Sequence, residues 1–397
     1  MTATARARDR RVYLLSHPVL FALLAALRGK PVRRLGRTLV VHDREAYLAA
    51  LTRIPLDRTA EGTTGGAVDR LAGAGGLFDQ QGDQHRQARR DVAERLGAAG
   101  VERLRPVWTR LLDERLAPLA EGGAVDLAPL AAEIAGATAA ALLGLDADPF
   151  ELAAAAQEAG ATAARAHLPG LGRRRAAAQA ERAAERLLAL VTPAGTAACP
   201  VVGEGGPPAR GDSRAGHGDG SASRGDGGPA VERGRGDAGL AATLAVAAVN
   251  TTVAALPRAA AWVCDGGLWA YAREGVLVDE LLRVTSPTPL LPRVAAAGGE
   301  IADGCPVRAG DRMLLIARHA VDAHRRDPDP VNPAPARISQ LVFGAGTHAC
   351  PGARLARRQL GDLLEALAPH RPVVVRAGVD RRAALPSWRT LIVRATA

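Results

Sequence analysis

At 397 residues the chain is long enough for more than one domain, and 48% hydrophobic residues can fill a sizeable core. That apolar content excludes a disordered protein. The net charge of +10 comes from 51 Lys and Arg against 41 Asp and Glu, and Lys30 is the one lysine. An almost pure arginine bias reads as GC-rich coding, not as a phosphate-binding surface. No basic run carries a base-reading motif, and 4 Phe, 4 Trp and 3 Tyr cannot build a stacking platform, which excludes nucleic acid as a partner. Cys199, Cys264, Cys305 and Cys350 are scattered without a Cys-x-x-Cys pair, which excludes a disulfide framework and a zinc site. A reducing cytoplasm is the expected location.

Residues 12–27 are apolar and follow an Arg-rich start, as in a secretory leader. His17, Pro18 and the absence of a small-residue cleavage site before Arg28 argue instead for a first amphipathic helix. Residues 38–42 read as a short strand. From 104 to 190 the pattern is helical, with apolar positions three and four apart over 127–143 and 173–190. Residues 201–240 then hold thirteen of the 44 glycines. Such a segment cannot bury enough surface to fold, so 197–238 is expected to be a disordered insertion within a single domain of residues 1–397. Residues 240–257 carry no charge but are mostly alanine, which fits a buried central helix better than a membrane span. Pro257 and the Gly266–Gly267 pair are expected to bend or end that helix early. Strands are expected at 373–375 and 390–393. The fold class is mainly α with minor β.

The chemistry concentrates in residues 343–352, FGAGTHACPG. Gly344 and Gly346 permit a tight loop, and Gly352 lets the chain turn into a helix starting near Ala353. Cys350 therefore precedes a helix N-terminus, where free N–H groups favour a thiolate suited to a soft or redox metal.

Together these residues resemble the cytochrome P-450 family, the haem-thiolate monooxygenases, of the soluble, actinobacterial-like type. Phe343-x-x-Gly346-x-His348-x-Cys350-x-Gly352 is similar to the family's haem-binding loop. Glu280-Leu-Leu-Arg283 is similar to its Glu-x-x-Arg helix, which a later arginine completes, here Arg337. Arg293 matches the strand arginine that binds a haem propionate, and His85-x-x-x-Arg89 the helix pair that holds the propionates. Arg326-Asp327-Pro328 matches the loop before the haem segment, and the resemblance spans residues 12–397. It implies a long central helix over the haem and small β-regions near both termini. It further implies haem b with Cys350 as axial iron ligand, and Phe343, Gly344, His348 and Gly352 against the cofactor. Electrons would come from NAD(P)H through a ferredoxin reductase and a ferredoxin. Arg86, Arg90, Arg354, Arg357 and Arg358 are candidates for a basic patch that steers an acidic ferredoxin.

The central helix departs from the family pattern. Ala-Gly-x-Asp/Glu-Thr-Thr is replaced by Ala247-Ala248-Val249-Asn250-Thr251-Thr252. In the family the acid and threonine help deliver protons to the reacting oxygen, and a carboxamide such as Asn250 does not titrate near neutral pH. Two readings stay open. Either Thr251 and water suffice, and the protein is a monooxygenase tailoring a small organic secondary metabolite, or it runs a non-hydroxylating oxidation such as coupling, ring formation or peroxide-driven turnover. A third reading, a non-catalytic relative acting as a binding partner, conflicts with the intact Cys350 loop.

Overall fold

Pro18 divides what the sequence presents as one apolar run. Helices α1 (Thr2–Ser16) and α2 (Pro18–Leu27) meet at a bend of 113°. Proline has no N–H for the helical ladder and pushes the preceding residue out of the helical region. His17 accordingly adopts φ −142°, ψ 73°. The single helix expected over 12–27 is therefore two helices. The computed structural model describes residues 2–57, 60, 63, 92–167, 173–192, 229–301, 304–346 and 349–396.

Strands β1 (Val32–Leu35) and β2 (Thr38–Val41) form a hairpin, followed by α3 (Arg44–Thr52) and β3 (Leu56–Asp57). The Asp43 carboxylate caps α3 by accepting from the Ala46 amide at 3.0 Å. Next come α4 (Ala98–Leu116), β4 (Ala124–Asp126), α5 (Leu127–Leu143), α6 (Pro149–His167) and α7 (Arg173–Val191). The central helix α8 (Pro229–Gly266) leads to α9 (Gly275–Thr285) and to strands β5 (Leu291–Ala295), β6 (Gly299–Ile301), β7 (Cys305–Val307) and β8 (Arg312–Leu315). Short helices α10 (Ala317–Ala320) and α11 (Ala336–Ser339) precede α12 (Ala353–Leu367) and the hairpin β9 (Val373–Asp380), β10 (Ser387–Arg394). One sheet has the order β1-β2-β8-β5-β3, a second β4-β10-β9, and β6 pairs with β7. The closing strands run well beyond the short runs expected from sequence, because β9 and β10 satisfy each other's backbone over nearly their whole length.

Helix α8 is long and apolar enough to cross a membrane between Ala238 and Gly266, yet it is the core of the protein. Every residue from 253 to 264 is buried, and α1, α5, α6, α9, α12 and β10 pack around it. Its contacts with α5, α6 and α7 use small side chains, among them Ala135, Ala156, Ala183 and Ala245, so the helices approach closely. That is how an aromatic-poor sequence fills its interior. The helix runs through Pro257 without ending there and stops at Gly266, at the expected glycine pair. Interior proline costs about 3 kcal/mol, and burial on all sides outweighs it. The neighbouring Arg258 helps, because its guanidinium meets the Asp9 carboxylate of α1 at 2.6 Å with both side chains buried. Of the insertion expected over 197–238, residues 229–238 belong to α8, and the remainder lies outside the described residues.

Where β2 ends, His42 Nδ1 lies 2.7 Å from His319 Nδ1 of α10, and the His319 and His324 rings sit 4.5 Å apart. Burial, then the positive neighbours, lowers His319 to about 3 and His42 and His324 to about 4. The unfolded chain takes up these protons near pH 6.5 and the native one does not, so their contribution to stability is complete above that pH and is lost as pH falls toward 4. The thermal unfolding midpoint should therefore hold steady around neutrality and drop below pH 6.5. In His319→Gln the drop over that window should be shallower, measured by circular dichroism; an unchanged slope would refute the assignment.

Candidate active site

The loop that carries Cys350 is closed by its own backbone. A 3-10 turn, Gln340–Phe343, runs into Gly344 and Gly346 at φ +76° and +69°, a region that side-chain-bearing residues avoid. A Cβ on Gly346 would also stand 3.2 Å from the Leu51 carbonyl oxygen. The Cys350 amide donates to the Phe343 carbonyl at 2.8 Å, and Gly352 opens α12. Arg357, one turn into α12, lies over the Phe343 ring with its guanidinium carbon 4.7 Å from the centroid. Its Nε donates to Asp279 Oδ1 of α9 at 2.6 Å. The cysteine thus sits, exposed, at the start of a helix on a loop pinned at its aromatic end. His348, in the same loop, and the His85 and Arg89 pair lie outside the described residues.

One residue further along α9, Glu280 makes a two-pronged pair with Arg283, at 2.9 and 2.7 Å. Both are essentially inaccessible, at 1% and 0% exposure. Burial alone would raise the Glu280 carboxyl, but the guanidinium and the amides of Ala334 and Asp329 override it and hold the group below its ordinary value. Arg283 also donates to the carbonyls of Arg326 and Asp327, the first two residues of the Arg-Asp-Pro motif, at 3.1 and 2.8 Å. Arg337 does not complete this pair. It stands exposed on α11 with no ion pair among the described residues, and backbone amides take the remaining acceptor capacity of Glu280.

Arg293 is on β5, opposite Met313 of β8. Burial lowers its pKa, and no carboxylate pairs with it among the described residues. Among the described residues its Nη1 donates to the preceding Pro292 carbonyl, at 2.8 Å. A half-buried guanidinium with no carboxylate partner among the described residues can take up an anion. A thiol at a helix start and a half-buried arginine with no carboxylate partner among the described residues are a donor set that fits a haem with a propionate.

On α8, Thr251 donates its hydroxyl proton to the Ala247 carbonyl at 2.8 Å, with the Ala248 carbonyl 3.4 Å away. Asn250 points elsewhere. Its Nδ2 donates to the Ala156 carbonyl of α6 at 3.0 Å and to the Val246 carbonyl at 2.9 Å. Both partners are acceptors only, which fixes the orientation of the amide. Opposite stands Gly160, where an added Cβ would meet Nδ2 at 2.7 Å. Asn250 is a clamp between α8 and α6, seated in a notch that glycine leaves. Beside it opens a cavity of about 210 Å³ whose lining mixes Glu158, Arg165, Asp380 and Arg382 with Val253 and Leu385.

No family model matches the chain. Among solved structures, P450BioI in complex with an acyl carrier protein superposes with a TM-score of 0.71 at 17% identity, covering 97% of this chain and 100% of that one. Epothilone B-bound P450epoK gives 0.68 at 17% identity, covering 97% and 98%. The chain has the cytochrome P450 fold. Curated sequences agree locally. The 20-oxo-5-O-mycaminosyltylactone 23-monooxygenase of Streptomyces fradiae is 39% identical over 108 residues, 26% of each chain. Mycocyclosin synthase of Mycobacterium tuberculosis is 35% identical over 123 residues, 30% of each chain. These matches span less than a third of either relative's length. The expected P450 resemblance and the mainly α fold class are both borne out.

Of the arginines expected to form a basic patch on this P450 fold, Arg86 and Arg90 lie outside the described residues. Arg357 is bound to Asp279, and Arg358 lies 3.4 Å from Glu102. Arg354 is exposed and makes no ion pair among the described residues. Two contributors were missed in the sequence. Asp279 gives no signal, since any carboxylate on a helix looks solvated. Gly160 does give one, as a helix-interior glycine costing about 1 kcal/mol relative to alanine in an otherwise alanine-rich run.

Two outcomes follow. Glu280→Ala strands a buried guanidinium and should cost about 3–5 kcal/mol in urea unfolding; a loss below about 1 kcal/mol, the scale of an exposed pair, would contradict the network. Gly160→Ala should lower the melting temperature of the wild type by displacing Asn250. In an Asn250→Ala background the same change should raise it, because only the helix-propensity gain of about 1 kcal/mol remains. The same sign in both backgrounds would exclude the clamp.

Proposed function

We propose that the chain is a single haem-thiolate domain acting as a monooxygenase on a small organic substrate. The observation that carries this is Cys350, held at the N-terminus of α12 by its amide bond to Phe343 and backed by the Arg357–Asp279 contact. Cys350 would ligate the iron as a thiolate and push electron density toward it. Arg293 would take a propionate, joined by His85, Arg89 and His348 according to the family resemblance. When bound, the haem supplies the oxidising chemistry. The protein's own part is positional and protonic. Thr251 can pass a proton by letting go of the Ala247 carbonyl, since a hydroxyl both donates and accepts. Ala247 and Ala248 keep that stretch of α8 apolar around it.

Electrons are assigned to NAD(P)H through a ferredoxin reductase and a ferredoxin, in the cytoplasm, and exposed Arg354 is the described residue that best supports docking of an acidic donor. The relative named for mycaminosyltylactone oxidation supports tailoring of a secondary metabolite. A non-hydroxylating oxidation is the second reading. It is favoured by the commitment of Asn250 to two carbonyls, which leaves Thr251 without an acidic neighbour on its helix turn, and by the relative named a synthase.

The carbon monoxide difference spectrum of reduced, haem-loaded protein decides the class. The red-shifted band of thiolate ligation is expected in the wild type and should vanish in Cys350→Ala. Its presence there, or failure of the wild type to take up haem, would overturn the proposal.

A further inference from the structure

Helix α2 is apolar on both faces. Leu24 is buried against Val40 and Ile316, which accounts for the inward side. The outward side is Val19, Ala22, Leu23, Ala25 and Ala26, without one polar residue, and Val19 and Leu23 are 84% and 50% exposed. A soluble protein ordinarily gives such a face charged or polar side chains, and an apolar one marks an interaction site. The charge around it is equally one-sided. Residues 10–42 contain seven Arg and Lys and no Asp or Glu. Arg28 and Lys30 follow the helix directly, and both are exposed, as are Arg10 and Arg11 on α1. The bend of 113° turns α2 away from α1, which is itself anchored to the core through Asp9.

We propose that α2 lies on the surface of an anionic phospholipid bilayer, with Val19 and Leu23 entering the headgroup boundary and the flanking cations on the lipid phosphates. An apolar helix face beside Lys and Arg is the combination such surfaces hold. The charge rules against a second copy of the chain, because two facing copies would bring like-charged clusters together. The face is also convex, the outer side of a helix, so it offers no groove to a peptide. Each cation near an anionic surface strengthens attachment by roughly fivefold, which makes the association peripheral, reversible and salt-sensitive. The inference is independent of the haem assignment.

The test is co-sedimentation of the full haem-loaded protein with vesicles of phosphatidylcholine containing phosphatidylglycerol, against phosphatidylcholine alone. Binding should require the anionic lipid and weaken with added salt. Val19→Glu/Leu23→Glu should weaken it by about tenfold or more, and Arg28→Glu/Lys30→Glu should act in the same direction. Both positions of the first pair point outward, so folding should be kept, and an unchanged melting temperature checks this. As a second measurement, the emission of Val19→Trp should shift to the blue on anionic vesicles only. No sedimentation, or equal binding by Val19→Glu/Leu23→Glu, would overturn the proposal. So would a wild-type dimer that the same pair of changes converts to monomer without any lipid binding.

Discussion

Arg283 is completely buried, and the protein must surround its guanidinium with acceptors or fail to fold around it. Glu280 supplies two, and the carbonyls of Val321, Arg326 and Asp327 supply the rest. The carboxylate is in turn filled by the amides of Asp329 and Ala334. Residues 321–335 carry no strand and no long helix, so this one ion pair does for them what a hydrogen-bond ladder does elsewhere. Because removing either partner leaves a buried charge alone, the arrangement is effectively all or none. The stretch it fixes leads directly into the loop of Cys350. Asp279, the neighbour of Glu280, holds the other side of that loop through Arg357 and Phe343. Two consecutive acidic residues on α9 therefore brace the cysteine from before and after.

The central helix follows a different logic. Its alanines permit close approach of α5, α6 and α7 but offer little to fix their rotation, since small apolar contacts are nearly interchangeable. Asn250 provides the directional element. Its amide has two N–H groups for two carbonyls, one on each helix, whereas a carboxylate would face both with acceptors alone. The position that carries an acid in the resembled pattern is here part of the packing, while the adjacent Thr251 hydroxyl bonds back to the Ala247 carbonyl of its own helix.

Much of the site was legible before any coordinates because its chemistry is local. A cysteine before a helix, glycines at positive φ and a pair spaced three apart are all expressed within ten residues or fewer. The central helix was legible for a similar reason, as an uncharged run too rich in alanine for lipid. Arg337 was misassigned because its supposed partner was filled by backbone amides, and main-chain donors carry no sequence signature. Contrary to what the sequence suggests, Pro257 does not end α8, because proline's local cost is visible in sequence and the burial that offsets it is not.

The sequence by itself determined the class of fold, the position of Cys350 just before a helix and the nearness of Glu280 to Arg283, since each follows from residue type and short-range spacing. Only the tertiary structure decided that Asn250 reaches α6, that Gly160 makes room for it, that half-buried Arg293 has no carboxylate partner among the described residues, and that the outer face of α2 is exposed. Those facts depend on which surfaces meet across more than ninety residues of chain, a relation that hydrophobic periodicity does not encode.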